Sequence, residues 1–377
     1  MNENLFMSIY LFFIFIVMLI MGIFTPKFTR KEIKFGIRIP ENEVNSSEIK
    51  DIEKKFITNN LIIGIPVIVI FSILNYMFPN VIMILFTTFA FIFVMFLVYM
   101  ISNKAVKKLK IEKGWLKGNK QSVIIDTNFS KEKNKNLVTP WIFLISVIII
   151  IINIVLSYKY YNLLPNKVPT HWDLSGNITG YQIKSKMLIW EMPGTEIFTT
   201  ILFFIVYKSI GWSKQQINHQ DPEGSVKKNR IFRRAWSKYI AIFSILTNLI
   251  LTVGTLQIFR VVDINNKIIN VIIIGFLVIT LTSTILLSIK LGQGGSNIKL
   301  KGEDENSKFD SSSRDDDRYW KVANTIYYNP DDPSLFIEKR FGVGWTINAG
   351  RPLGMAIYIG MIIFTIVIVV IASYARR

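Results

Sequence analysis

In this 377-residue chain, one histidine and three carboxylates near the middle are the side chains best suited to metal binding or acid–base catalysis. His171 and Asp173 lie close together, and Glu191 and Glu196 follow them. A histidine and a carboxylate form part of a zinc site, but such a site needs three or four ligands, so a glutamate would have to complete it. The chain has no cysteine to supply a thiolate ligand or a disulfide. We therefore expect neither a metal site nor a cofactor.

The motifs of the common enzyme classes are also missing from the sequence. Gly292-Gln-Gly-Gly295 is not followed by the Lys-Ser of a phosphate-binding loop, and there is no nucleophile elbow and no HExxH motif. The acidic runs 315–317 and 331–332 are typical of solvated turns rather than divalent-ion sites. We therefore predict that the protein is not an enzyme.

Eight long apolar stretches must position these residues. A bilayer core about 30 Å thick is crossed by about 20 mainly apolar residues in a helix. Backbone groups in lipid must be hydrogen-bonded internally, which favours helices, and the alternating pattern of a β-barrel is missing. We predict an all-α polytopic membrane protein with spans at 5–24, 61–78, 81–101, 140–158, 187–210, 239–259, 268–290 and 353–374.

The basic residues of the loops predict the orientation. The loops after the first, third, fifth and seventh spans carry 34 of the 44 Lys and Arg residues, and these four loops fall on one side of an eight-helix arrangement. Positive residues collect on the cytoplasmic side. We therefore predict a multi-pass protein of the bacterial plasma membrane with both termini outside.

The net charge of +18 is explained by these loops, in a chain of which 51% is hydrophobic. In a soluble protein such a charge would indicate nucleic acid as a partner. Here the basic residues flank apolar spans, where anionic headgroups attract them. We expect anionic membrane lipids as partners, and no nucleic acid.

Polar residues inside the spans are few. No charged side chain lies near the middle of any span, and the nearest exception is Glu196 in the outer part of the fifth. Carriers and proton relays usually need buried charges. Asn75, Asn153, Asn248, Gln257 and the cluster 280–288 are sufficient for interhelical hydrogen bonds, and we interpret them as structural.

Three cytoplasmic loop segments have local patterns. Residues 45–55 predict a short helix near the membrane that runs into the second span. Residues 122–126 form a strand-like patch in a basic connector, and the basic, amphipathic segment 227–236 predicts an interfacial helix.

The outer loop 164–186 differs from the others in composition. Its two prolines favour an extended start, and Ser175-Gly176-Asn177 indicates a turn. Trp172 and Tyr181 suit the outer headgroup layer. One interpretation is a compact interfacial turn with His171 and Asp173 as ordinary polar tips. The other is a ligand-recognition element, formed by Pro169, His171, Trp172, Asp173, Gly176, Tyr181 and Lys186.

This segment carries a resemblance to a known family. The pattern Leu-Pro-x-x-Val-Pro-Thr-His-Trp, with later Gly and Ser-Lys residues, resembles the bacterial membrane domain of unknown function 1648, found in SdpI-like immunity proteins against the sporulation-delaying toxin. The matching positions are Pro165, Pro169, His171, Trp172, Gly176, Gly180, Ser185 and Lys186. The resemblance covers about 45 residues, from the fourth span onward. It implies toxin immunity or peptide sensing, with this segment outside the cell.

The seventh loop divides into two parts. Residues 291–314 are rich in Gly, Ser, Lys and Asp, which predicts a flexible linker. Residues 315–350 are dense in aromatics, with a turn at 329–333 and short strands at 326–328 and 335–337. This second part resembles another small bacterial domain of unknown function, 5808, through Tyr319, Trp320, Tyr328, Asn329, Pro330, Asp332, Lys339, Arg340, Trp345 and Asn348. We predict a small, turn-rich or α/β module at the cytoplasmic surface, held against anionic lipid by Lys339, Arg340 and Arg351 in one state.

These patterns predict six regions. They are a three-helix membrane region (1–139), the outer motif domain (140–186), helices five to seven (187–290), the linker (291–314), the module (315–350) and the last helix (351–377).

Two classes of function fit these features. The first is a non-enzymatic sensor or immunity-type protein that binds an external peptide, toxin or other envelope agent and signals to a cytoplasmic regulator. The second is a transporter or membrane enzyme that uses Glu196, Glu191 and His171.

Overall fold

The computed structural model describes residues 3–115, 136–172, 177–217, 221–262, 264–300 and 315–374. Some expectations fall on residues outside these ranges. They are the strand-like patch at 122–126, Asp173 and Gly176 of the outer loop, and the larger part of the predicted linker, 301–314.

Each of the eight predicted spans forms a helix within these ranges. Seven are long and apolar enough to cross a membrane, and in the eighth helix the apolar part Pro352–Val367 is shorter. The all-α polytopic prediction is thus confirmed. The helices are α1 (Glu3–Phe24), α2 (Ser47–Met77), α3 (Val81–Glu112), α4 (Phe143–Tyr160), α5 (Leu188–Trp212), α6 (Pro222–Ile258), α7 (Asn266–Leu291) and α8 (Pro352–Tyr374).

Helices α2 and α6 extend furthest beyond the apolar stretches that predict them. The juxtamembrane helix expected at 45–55 is the first part of α2, which runs on into the span as expected. The segment 227–236, which we expected to lie in the interface, is part of α6 and continuous with its span. Neither junction contains a proline or glycine, so nothing in the sequence interrupts the helical hydrogen bonds.

The chain folds into two compact units. The first unit consists of Met1–Ile125, Ser213–Lys228 and Ser288–Arg377, and the second consists of Asp126–Trp212 and Asn229–Leu287. The module at 315–350 belongs to the first unit, and the outer loop belongs to the second.

In the first unit, α1, α2 and α3 pack around a buried aromatic pair. The ring of Phe15 lies 5.2 Å from that of Phe91, and both side chains are fully buried. Gly64 of α2 faces Leu19 of α1, and a Cβ atom at Gly64 would lie only 2.7 Å from Leu19 Cδ1. A glycine therefore permits the close approach of these two helices.

Four small antiparallel sheets complete the fold of the described residues. Each contains two strands: β1 (Ile33–Lys34) with β2 (Ile37–Arg38), β3 (Lys167–Trp172) with β4 (Ile178–Ile183), β5 (Trp320–Lys321) with β6 (Ile326–Tyr327), and β7 (Phe336–Glu338) with β8 (Trp345–Ile347). A parallel bridge between Tyr327 and Asn348 connects the last two sheets. The strands that we predicted at 326–328 and 335–337 correspond to β6 and β7.

The beginning of the predicted linker differs from the expectation. Gln293–Gly295 forms a 3₁₀ turn, and the side chain of Gln293 is fully buried. Its amide donates to Gly344 O at 2.8 Å and accepts from Gly344 N at 2.6 Å. A Gly-rich composition indicated flexibility, but a side-chain amide that pairs with both groups of one peptide residue fixes the turn against the module.

In the second unit, polar side chains connect the helices. The hydroxyl of Tyr239 on α6 donates to Thr280 O of α7 at 3.0 Å and lies 2.6 Å from Thr284 Oγ1. The cluster 280–288 thus makes interhelical hydrogen bonds of the predicted kind, as does Asn75 of the first unit, which donates to Thr87 Oγ1 at 2.9 Å.

Candidate functional sites

The outer loop is a β-hairpin rather than an irregular loop. Strands β3 and β4 pair from Lys167 opposite Ile183 to Trp172 opposite Ile178, with a bulge around His171. Proline has no N–H to donate, so Pro169 suits the edge position that a two-stranded ribbon offers. The hairpin is therefore a defined surface with a fixed register.

One face of the hairpin is buried against the ends of the helices. Val168 is fully buried and packs with Leu164, Leu188, Ile258 and Phe259, and Trp172 adds to the same cluster. Of the predicted recognition residues, the buried Pro169 and the half-buried Trp172 therefore contribute to packing. The headgroup position that we expected for Trp172 stays a prediction; in the structure this side chain also packs against the cluster.

The other predicted residues of the hairpin are open to the surroundings. His171, Tyr181 and Lys186 are exposed. Thr170 Oγ1 lies 3.0 Å from His171 Nδ1 and orients the imidazole. The imidazole and the phenol on the paired strands, with the ammonium group of Lys186 in the segment that follows β4, can recognise a polar or aromatic ligand.

Two residues that sequence reasoning missed fasten the hairpin. The ammonium of Lys184 donates to Asn162 O at 3.1 Å and to Leu164 O at 2.8 Å, and it lies 5.0 Å from the ring centre of Tyr161. Gln182 donates to Glu191 Oε1 at 3.4 Å. The only sequence signal was the short alternation of apolar and polar residues in 181–184, which is typical of a strand.

A buried polar cluster lies between α4, α5 and α6. Glu196 is fully buried, and its Oε1 accepts a hydrogen bond of 2.5 Å from Asn153 Nδ2. Asn153 also donates to Thr252 Oγ1 at 2.8 Å, and Asn248 donates to Thr200 Oγ1 at 2.9 Å. The sequence placed Glu196 in the outer part of its span and gave no indication that three helices enclose it.

The module of the first unit is built around Arg340. Its guanidinium is buried and ion-paired with Asp316 and Asp317, and it donates to Gly36 O at 2.9 Å. It also lies over the ring of Trp320 at 5.1 Å. We expected Arg340 to contact anionic lipid, but these partners occupy it fully. Lys339 and Arg351 remain exposed.

The electrostatics of Asp317 follow from this pairing. Burial alone would raise the pKa of the Asp317 carboxyl, but the charges of Arg340 and Lys110 outweigh burial and hold the pKa below its ordinary value. Lys110 Nζ lies 2.6 Å from Asp317 Oδ2. The acidic run 315–317, which we interpreted as a solvated turn, is therefore an ion-paired part of the module.

Further ion pairs join the module to other loops. Arg30 pairs with Glu338 at 2.8 Å, and Lys214 pairs with Asp332 at 2.7 Å. The backbone N–H of Lys214 donates to Phe336 O at 2.8 Å. Residues from the first, third and fifth loops thus contact the module, which belongs to the seventh loop, so these four basic loops lie together, as their assignment to one side of the membrane requires.

Asn348 organises the turn of the module. Its Nδ2 donates to Asn329 O at 2.8 Å, and its Oδ1 accepts from Asn329 N at 3.0 Å. Asp332 accepts a hydrogen bond of 3.0 Å from the hydroxyl of Tyr327. Of the other predicted residues, Tyr319 and Trp345 are half-buried and Tyr328 and Pro330 are exposed. The motif residues are therefore mostly structural.

These features define the class of protein. It is a multi-pass, all-α membrane protein with a fastened hairpin at one helix junction and an ion-paired module at another. The domain of unknown function DUF1648 matches residues 148–196, which include the hairpin and Glu196. The family of unknown function DUF5808 matches residues 330–355, which cover the second half of the module and the start of α8. Both resemblances predicted from the sequence are thus confirmed. A comparison of this chain with curated proteins found no match, and neither did a comparison with solved structures.

Proposed function

We propose that this protein recognises an external peptide, toxin or other envelope agent and protects the cell or reports its presence, without catalysis. The observation that carries the proposal is the hairpin 167–183, which packs against the helix ends through Val168 and leaves the side chains of His171 and Tyr181 exposed. A binding surface that is held rigid loses little entropy when a ligand docks. The proposal places the protein in the bacterial plasma membrane with both termini and the hairpin outside.

Chain continuity supports an inward signal. Helix α5 follows the hairpin and ends at Trp212, and Lys214, two residues further on, pairs with Asp332 of the module. A shift of α5 caused by a ligand would therefore act on this ion pair. A ligand moves such an equilibrium only through different affinities for the two states.

The last helix offers a second route for the signal. Tyr358 of α8 donates to Ile347 O at 3.3 Å and lies 3.2 Å from Thr346 Oγ1. The module and α8 are thus in direct contact. In this proposal a cytoplasmic regulator reads the module, and the exposed Lys339 and Arg351 face anionic lipid.

The hairpin is tested by survival of bacteria that express the chain and are challenged with a panel of membrane-active peptides. His171→Ala and Tyr181→Ala should each lower protection at unchanged membrane abundance. Tyr158→Ala is the control, since Tyr158 is an exposed tyrosine on α4. Full protection by a variant that lacks ten residues across Ser175 would refute the proposal.

Deletion of 315–347 separates protection from signalling. If the deletion abolishes the transcriptional response of the cells to the peptide but retains protection, the hairpin and helices suffice for immunity, and the module serves only to report. Unchanged response and unchanged protection would remove the sensor part of the proposal.

One observation favours the alternative, a transporter or membrane enzyme that uses Glu196 and His171. Glu196 is a buried carboxyl group in a span, and such groups usually mark ion or substrate pathways. Loss of function in Glu196→Gln alone, with ligand binding retained, would favour this alternative. Turnover or transport of a substrate by purified protein, dependent on Glu196, would overturn the first proposal.

A further inference from the structure

The cluster around Glu196 contains buried oxygen atoms without partners. Glu196 Oε2, Asn153 Oδ1 and Asn248 Oδ1 are each buried, and none accepts a hydrogen bond within the described residues. The hydroxyl of Ser157, one turn from Asn153 on α4, is also without a partner. An unpartnered buried acceptor costs about 1–3 kcal/mol, so several in one cluster favour a site that binds an ion or water.

The charge of the cluster restricts that ligand. Glu196 forms no ion pair with any described residue, and the groups that contact it or share its cluster are amides and hydroxyls from α4, α5 and α6. A lone carboxylate out of water is very unfavourable unless a positive charge neutralises it. A divalent ion would leave an excess positive charge, whereas one monovalent cation balances one carboxylate.

The donor atoms restrict the ligand further. Carboxylate, amide and hydroxyl oxygens are hard ligands, which suit alkali cations and protons and not thiophilic metals. Among the described residues, no three His, Cys, Asp or Glu side chains are placed so that together they could hold a metal ion.

We infer that Glu196, Asn153 and Asn248 form a monovalent-cation site within the second unit, occupied by Na⁺ or by a proton. Na⁺ would be held by Glu196 Oε2 together with amide and hydroxyl oxygens. A proton would reside on Glu196 Oε2, which would then donate to a neighbouring oxygen. This inference does not depend on the identity of the external agent.

The test measures thermal unfolding of the full chain in detergent, followed by tryptophan fluorescence. A ligand that binds only the folded state raises its stability with concentration. If Na⁺ occupies the site, replacing choline by Na⁺ at constant ionic strength and pH should raise the Tm by at least about 2 °C. If a proton occupies it, Na⁺ has no effect and the Tm falls as the pH rises in Na⁺-free buffer.

Glu196→Gln removes the negative charge at nearly constant shape and should abolish whichever response wild type shows. Glu191→Gln is the matched control, because it makes the same chemical change on the same helix outside the cluster. Asn248→Leu is a second variant, which removes one unpartnered oxygen and should raise the Na⁺ concentration for half-maximal stabilisation. Wild type that responds to neither cation, or Glu196→Gln that retains the full response, would overturn the inference.

A direct measurement keeps the test decisive if Glu196→Gln does not fold. Binding of radioactive Na⁺ to wild type, with displacement by unlabelled Na⁺ and not by choline, would establish the Na⁺ form. A carboxylic-acid band in the infrared spectrum that disappears at high pH would establish the proton form. Absence of both signals in folded wild type would refute the site.

Discussion

Arg340 combines more interactions than any other side chain that we describe in the module. It neutralises Asp316 and Asp317, donates to a backbone carbonyl and covers an indole ring. Its guanidinium supplies several fixed donors in one plane, which lysine does not. This is why the motif of the module has an arginine here.

Replacement of Arg340 by leucine should destabilise the module by about 3 kcal/mol, the lower end of the cost of breaking a buried ion pair, because Asp316 and Asp317 lose one cationic partner each and keep Arg38 and Lys110. Limited proteolysis of the purified protein should then cut within 315–350 at much lower protease concentration. Arg318→Leu serves as control, since Arg318 is exposed and should change stability by less than about 0.5 kcal/mol. Equal resistance of the two variants would contradict the role given to Arg340.

Asp317 makes the module sensitive to acid. The folded pKa of Asp317 lies below its unfolded value, so its contribution to stability is fully present above the unfolded pKa and is lost as the pH falls through the folded one. We therefore expect the protection of the module's amides against hydrogen exchange, relative to their intrinsic rates at the same pH, to fall below about pH 4, the ordinary range of an aspartate. In Asp317→Asn the exchange should be faster at neutral pH and should change less on acidification. A module equally protected at pH 3 and pH 7 would be inconsistent with this pairing.

At the level of elements, the hairpin depends on a close contact between its strands. Gly180 lies opposite His171, and a Cβ atom at Gly180 would lie 3.1 Å from His171 Cβ and from His171 Nδ1. A glycine at this position thus leaves room for the imidazole at the bulge.

Gly180→Val should displace the imidazole of His171 and lower protection in the peptide challenge about as much as His171→Ala. Gly194→Ala on α5 is the control, since nothing lies within 4 Å of a Cβ atom there. It should leave function unchanged and favour the helix slightly. Membrane abundance of both variants should equal that of wild type. Wild-type protection by Gly180→Val would show that the geometry at His171 is not important for recognition.

For the whole molecule, the distribution of basic residues predicts the topology. The absence of native cysteine allows single cysteines at Asn119, Asn166 and Ser312 to be labelled with an impermeant reagent in intact cells. The thiol at position 166 should react from outside, and those at 119 and 312 should react only after the membrane is opened. Two positions with the opposite behaviour would overturn the orientation.

The sequence by itself determined the helices, because about 20 consecutive apolar residues have few alternatives to a membrane-spanning helix. It also located the hairpin segment and the module through their motif residues. Local patterns carry both kinds of information, since they depend on neighbours in the chain.

Only the tertiary structure decided what the polar residues contact. Arg340 was assigned to lipid by its charge and is instead paired with Asp316, and Gln293 was assigned to a linker by its glycine neighbours and is instead buried against Gly344. Glu196 and Asn153 are 43 positions apart in the chain, and only the packing of α4 against α5 brings them together. Whether a charged side chain can be buried depends on partners that are far away in the sequence. A single sequence does not show which of these partners lie close together in space.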